Sequence, residues 1–295
     1  MNAMRLDAPE GNPAPSRRLM VSSLFLAGYA AAALDAKAQP ISTPDEGLVI
    51  EETRLVGAGG YQLPAYVARP EGRGRRPAII VVNEIFGIHD YIKDVCRRFA
   101  REGYVAIAPD YFDRAGDPAP LTDFNAIREI VATANYEQVM GDTEGALTWL
   151  DRQRYVQDNA IGVTGFCWGG AVTWMAAARF PQIKAGVAWY GRLVAPQTGG
   201  FGAEEGRPWP FDIAANLRAP VLGLYAENDR GIPLDTVEHM RAALVAAGNP
   251  TGSEIVVYPG TQHGFHADYR DSYNAEAAAD GWTRALAWFR AHGVG

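Results

Sequence analysis

Residues 48–56 and 61–68 alternate apolar and polar positions on either side of Gly57-Ala58-Gly59-Gly60, which predicts an antiparallel hairpin. After a Gly/Arg-rich loop at 71–76, Ala78-Ile79-Ile80-Val81-Val82 runs apolar without a break, the pattern of a strand covered on both faces. Ile92, Val95, Cys96 and Phe99 then recur at helical spacing, and the helix they predict ends at Gly103. The alternation continues with strands at 105–108, 161–164, 185–189, 220–225 and 254–258. Helices are predicted near 136–149 and at 169–179, 234–247 and 275–292. No linker is long enough to separate two cores, so the pattern predicts one α/β domain over 39–295 with a mostly parallel sheet flanked by helices. In such sheets ligands gather beyond the carboxyl ends of the strands.

Residues 1–38 do not fit that pattern. Ser16-Arg17-Arg18-Leu19-Met20-Val21 opens a moderately apolar run to Leu34, followed by Ala36-Lys37-Ala38, in the order of a charged region, an apolar region and a small-residue cleavage site. The arginine pair resembles a twin-arginine signal, so a cleavable leader read by the twin-arginine export machinery is expected, with the mature chain exported to the periplasm. Cleavage after Ala38 removes four basic and three acidic residues, leaving 23 against 31 and a net charge of −8.

With 48% hydrophobic and 21% charged residues among 295, the chain can build a large core. Its 27 basic and 34 acidic residues give −7 and no cationic field for a phosphate backbone, so no nucleic-acid partner is expected. No later apolar stretch approaches a bilayer span, so no stable membrane anchor is expected. Cys96 and Cys167 match no paired-ligand spacing, and no metal or other cofactor is expected.

Chemistry is therefore expected in the turns that follow the strands. Gly165-Phe166-Cys167-Trp168-Gly169 joins a predicted strand to a predicted helix, which is the G-x-nucleophile-x-G elbow with cysteine at its centre. The turn leaves no room for side chains at its flanking glycines. It also sets the sulfur at a helix N-terminus, where thiolate is favoured. Cys96, on an apolar helix face, reads as a small buried hydrophobe. Asp229 follows the strand at 220–225 and His263 the strand at 254–258, which keeps the order nucleophile, acid, histidine. An imidazole can carry the proton while a buried carboxylate fixes its tautomer. Glu227 and His266 are the rival carboxylate and base, and His263 with His266 lacks a third ligand for a metal.

With these residues the chain resembles the dienelactone hydrolases (carboxymethylenebutenolidases), cysteine-dependent members of the α/β-hydrolase fold, from about residue 50 to 290. The landmarks are Asn83-Glu84-Ile85-Phe86-Gly87, Pro109-Asp110-Tyr111-Phe112-Asp113-Arg114, Gly165 to Gly170, Asp229 and His263-Gly264-Phe265. The resemblance implies hydrolysis of a small ester or lactone through a thioester, with Cys167, Asp229 and His263 as triad and Glu84 hydrogen-bonded to the thiol. It implies an oxyanion hole from the backbone N–H groups of Ile85 and Trp168. Arg114 matches the family arginine that holds a substrate carboxylate, while Ala267 stands where the family has a second such arginine. Glu84 could instead cap the next helix or pair with Arg97 or Arg98, and Arg114 could be an exposed surface arginine. Thioester or amide cleavage by the same triad, and a catalytically retired binding protein, are the alternative functions. The long segment Gly191 to Asn216, with Phe201, Trp209 and Phe211, fits either a loop that lines or covers the site or a mobile surface excursion, and the sequence does not decide between them.

Overall fold

The computed structural model describes residues 40–195 and 208–295, so the expected leader at 1–38 and the middle of the 191–216 segment lie outside the described residues. The predicted hairpin is present: β1 (Leu48–Val56) pairs antiparallel with β2 (Gln62–Pro70), from Leu48 opposite Pro70 to Val56 opposite Gln62. A short 3-10 turn at Ala58–Gly60 joins them, with Gly59 and Gly60 at φ of 64° and 77°. Such left-handed backbone favours glycine.

Next come β3 (Arg76–Val82), α1 (Asp90–Arg101), β4 (Val105–Pro109), α2 (Phe124–Ala132), α3 (Tyr136–Asp151), β5 (Val156–Phe166) and α4 (Trp168–Arg179). The chain continues through β6 (Ile183–Trp189), β7 (Val221–Ala226), α5 (Leu234–Ala246), β8 (Glu254–Tyr258) and α6 (Ala275–Ala291). The eight strands lie in the order β1-β2-β4-β3-β5-β6-β7-β8. Pairing is antiparallel up to the β2–β4 contact and parallel from β4 to β8. This is the mostly parallel sheet of the α/β-hydrolase fold.

The unbroken apolar run of β3 has its stated cause, since Ile79, Ile80, Val81 and Val82 expose no surface and helices cover both faces. Ile92, Val95, Cys96 and Phe99 form the buried face of α1, and burial pushes the Cys96 thiol far above its ordinary range. Two elements differ from the sequence pattern. Strand β5 begins at Val156 because Gln157, Asp158 and Asn159 are exposed strand residues without alternation. Helix α2 escapes the pattern because it buries only Ile127 and Val131, and its start is fixed by the Asp123 side chain accepting from the Asn125 amide at 2.9 Å. Among the described residues no helix is long and apolar enough to cross a membrane.

Candidate active site

Strand β5 ends in the elbow. Cys167 sits at φ 56° and ψ −113°, a backbone that L-residues rarely adopt, and its amide donates to Trp189 O at 3.0 Å. The neighbouring glycines are required by contact. A Cβ on Gly165 would stand 2.1 Å from Gly169 O, and one on Gly169 would stand 2.5 Å from Val82 O. With the elbow thus pressed against the end of β3, the cysteine caps the N-terminus of α4 and borders a cavity of about 360 Å³.

Asp229 and His263 border the same cavity. The loops after β7 and β8 are tied together, since Glu227 N donates to Tyr258 O at 3.1 Å and Asn228 N to Thr261 O at 2.9 Å. His263 Nδ1 lies 2.6 Å from Asp229 Oδ2, while Asp229 Oδ1 accepts from the amides of Gly231 (2.8 Å) and Ile232 (3.1 Å). The carboxylate is therefore oriented by its own turn before it orients the ring. Burial opposes an imidazolium here, yet the charge carried by Cys167 and the Asp229 carboxylate lift His263 from 6.5 to about 10. Placement separates the rivals. Glu227 is exposed and accepts from Gly260 N at 2.8 Å. His266 is buried among Phe166, Trp189 and Trp282, shares a 2.6 Å hydrogen bond with the Tyr91 hydroxyl, and is kept neutral by desolvation.

Glu84 has no exposed surface, and its setting differs from the thiol-bonded carboxylate expected. Both of its oxygens are engaged elsewhere: Oε2 accepts from the Tyr269 hydroxyl at 2.5 Å and Oε1 from Arg270 Nη2 at 3.0 Å. His89 Nε2 stands 3.6 Å away, beyond hydrogen-bond reach but near enough for ion pairing. Burial alone would raise this carboxyl, but Arg270, His89 and Tyr269 together hold it near about 2. The alternative partners Arg97 and Arg98 belong to another cluster, in which Arg98 bridges Asp94 to Asp268 and Arg97 Nε donates to Thr43 O at 2.9 Å. That cluster pins the loop following His263 to α1.

Ile85 and Trp168, the expected oxyanion donors, both line the cavity. The turn Glu84 to Gly87, closed by Gly87 N on Glu84 O at 3.3 Å with Gly87 at φ 68°, holds Ile85 in place. Arg114 does not line it. Its guanidinium forms a bidentate pair with the buried Asp142, at 2.7 Å for both contacts, donates to Ala58 O at 3.1 Å and covers the Tyr61 ring. The expected substrate-binding role is thereby corrected, because its fork is already filled by a carboxylate of α3 that also accepts from Ala58 N at 2.8 Å. Three arginines missed by the sequence reasoning take its place at the cavity: Arg192, Arg230 and Arg270. The missed helix α2 contributes Phe124, which meets Phe86 edge-on at 6.3 Å between centroids. Of the long segment, Trp209 is buried and Phe211 exposed. A roomier hollow of about 670 Å³, bordered by Arg54, Glu137 and Arg179, has no cysteine, serine or histidine among its described lining residues. Among the described residues no group of three or more His, Cys, Asp or Glu side chains is placed to hold a metal ion.

Comparison with known proteins agrees with this architecture. Residues 63–293 match the dienelactone hydrolase family. A Methylorubrum extorquens protein named "Putative carboxymethylenebutenolidase" is 45% identical over 281 residues, which cover 95% of this chain and 94% of that protein. An Escherichia coli K12 protein of the same name is 44% identical over 268 residues, covering 90% and 96%. A crystal structure titled as a "Putative Dienelactone Hydrolase" from Klebsiella pneumoniae superposes with a TM-score of 0.76 at 47% identity, over 82% of this chain and 98% of that one.

Proposed function

The chain belongs to the dienelactone hydrolase family, and from that premise we propose that it cleaves small carboxylic esters or lactones through a thioester on Cys167. The observation that carries this reading is the 2.6 Å contact of His263 Nδ1 with Asp229 Oδ2, beside a cysteine held in a strained elbow. With the proton on His263, the sulfur attacks the acyl carbon. The developing oxyanion points to the backbone N–H groups of Ile85 and Trp168. As the C–O bond breaks, His263 returns the proton to the departing alkoxide or enolate. Water then attacks the thioester, with His263 as base, and the thiol is restored with release of the acid. Asp229 holds the ring in one tautomer and balances the imidazolium. Glu84 contributes indirectly, by fixing Arg270 at the cavity wall.

The test is a pre-steady-state reaction with 4-nitrophenyl acetate, followed by mass spectrometry of the protein. One acetyl group on Cys167 per chain, formed with a burst of nitrophenolate, is expected. Cys167→Ala should remain folded and lose about three to six orders of magnitude in kcat, whereas Cys96→Ala keeps most activity. Acylation elsewhere, or full activity without Cys167, sinks the proposal. The leader reading at 1–38 stands beside it as a proposal of periplasmic export.

A further inference from the structure

Helix α1 carries a polar face that the chemistry above leaves unused. Tyr91, Asp94 and Arg98 stand at i, i+3 and i+7 and so share one side of the helix. Two of them hold the loop that carries His263: the Tyr91 hydroxyl shares a 2.6 Å hydrogen bond with His266 Nδ1, and Arg98 Nη2 donates to Asp268 Oδ2. Between His263 and Arg270 the chain is drawn into tight turns, with Ala267 N on Gly264 O at 2.8 Å and Arg270 N on Ala267 O at 3.0 Å. Gly264, at φ 79°, is packed so closely that a Cβ would stand 2.9 Å from Arg270 Cδ. A hold on Asp268 is therefore passed to the imidazole through a short, folded stretch.

The same helix holds the chain ahead of β1. Asp94 accepts from Thr43 N through Oδ1 and from the Thr43 hydroxyl, at 3.2 Å, through Oδ2, which also accepts from Arg98 Nε at 2.6 Å. Arg97 Nε donates to Thr43 O and Arg101 Nη2 to Pro44 O, both at 2.9 Å. Burial raises the Asp268 carboxyl, while Arg98 and the Ile41 amide oppose it. Residues 41–44 thus lie as a strap on α1, joined through Asp94 and Arg98 to Asp268. Asp94, Arg98 and Asp268 are all buried. Buried ionic clusters add little net stability over packed apolar side chains, and their best-attested use is to fix the register of the segments they join.

We infer that Thr43, Asp94, Arg98 and Asp268 are positioning residues for His263: the strap ahead of β1 locks α1, and α1 locks the loop that offers the imidazole to Asp229 and Cys167. The expected effect on turnover rests on the hydrolase reading above. The ring is faced by Cys167 from the start of α4, by Asp229 from the turn after β7 and by the Tyr190 ring after β6, edge-on at 5.1 Å between centroids. Arg192, Arg230 and Arg270 border the same cavity. Cys167 and Asp229 lift His263 to about 10, so a loosened loop should let the ring return toward its ordinary 6.5. A misplacement of about 1 Å can cost a catalytic group about 100-fold, so a partial loosening is expected to cost about tenfold.

Thr43→Pro removes the amide donor and the hydroxyl at a half-buried position outside the strands and helices. NMR titration of the full protein, with its five histidines labelled at Cε1 and His263→Asn to assign the signal, reads the ring directly. His263 should titrate at about 10 in the wild type and clearly lower in Thr43→Pro, where kcat for 4-nitrophenyl acetate should fall about tenfold with KM unchanged. Arg98→Lys, which keeps the charge and loses the fork, should fall between the wild type and Arg98→Met. Arg114→Ala disturbs the hairpin and touches none of these residues, so it should lower Tm and leave the His263 titration in place. A wild-type titration and kcat in Thr43→Pro, or an equal shift in Arg114→Ala, overturns the inference, and Thr43→Pro decides it if Arg98→Met does not fold. The two readings fail separately: no acyl group on Cys167 sinks the hydrolase reading, whereas a His263 titration indifferent to Thr43 sinks only this one.

Discussion

Arg270 Nη2 lies 3.0 Å from Oε1 of Glu84, and the carboxylate it meets exposes no surface at all. Removing one member of such a pair strands the other charge in a poor dielectric. Arg270→Met should therefore destabilise the fold by about 3 kcal/mol, and adding Glu84→Gln should recover most of that loss. Activity should not return with stability in the double variant, because Arg270 also borders the cavity. Urea denaturation of the two single variants and the double checks the cycle, and a double variant no more stable than Arg270→Met counts against the pairing.

Two groups set the pH limits of stability. His263 is raised from 6.5 to about 10, so its contribution is complete below about 6.5 and fades as the pH rises through about 10. Glu84 is lowered from 4.5 to about 2, so its contribution is complete above about 4.5 and is lost as the pH falls through about 2. Between these limbs the buried His266, kept neutral in the fold, loses stability as the pH falls below its ordinary 6.5, while Asp110, raised to about 6, acts in the opposite sense. In Cys167→Ala the charge that lifts His263 is gone, and the alkaline limb should move to lower pH while the acid limb stays in place. An alkaline limb indifferent to Cys167 would show that the ring and the sulfur are not coupled.

Arg114 bonds to Asp142, which is fully buried, and both grip the hairpin turn at Ala58. Arg114→Ala should lower Tm and expose the β1–β2 hairpin to faster amide exchange, with a cost of about 3 kcal/mol from the stranded Asp142. Asp142→Asn in the same chain should return much of it. A variant as stable as the wild type would refute the clamp.

For the proposed leader, Arg17→Lys/Arg18→Lys preserves the charge and removes the arginine pair on which the export proposal rests. Uncleaved precursor should accumulate in the cytoplasm, as seen by fractionation and immunoblotting. Undiminished export of the double variant removes the twin-arginine reading.

The elbow was legible because its causes are local: a residue at φ 56° and two contacts closer than any Cβ permits leave their mark as glycines around Cys167. Asp229 and His263 were legible because both follow apolar strands in the right order, and the parallel sheet turns that order into neighbourhood. Arg270 was not, since it lies in a loop without periodicity and its partner Glu84 is brought to it only by the packing of distant segments. Arg114 misled for the opposite reason. Its motif was clear, but Asp142 on α3 looked like any polar helix residue until its burial against the hairpin was seen.

The proposed reacting groups ride on separate strands: Cys167 after β5, Asp229 after β7 and His263 after β8. Parallel pairing is non-local, and each crossover must close its loop before the contacts reward it. A refolding chain can form helices and a partial sheet while β8 is still unplaced, and in that state the imidazole has neither its carboxylate nor its thiol. Recovery of hydrolysis should then trail recovery of the far-ultraviolet signal, making turnover a clock for the last strand to arrive.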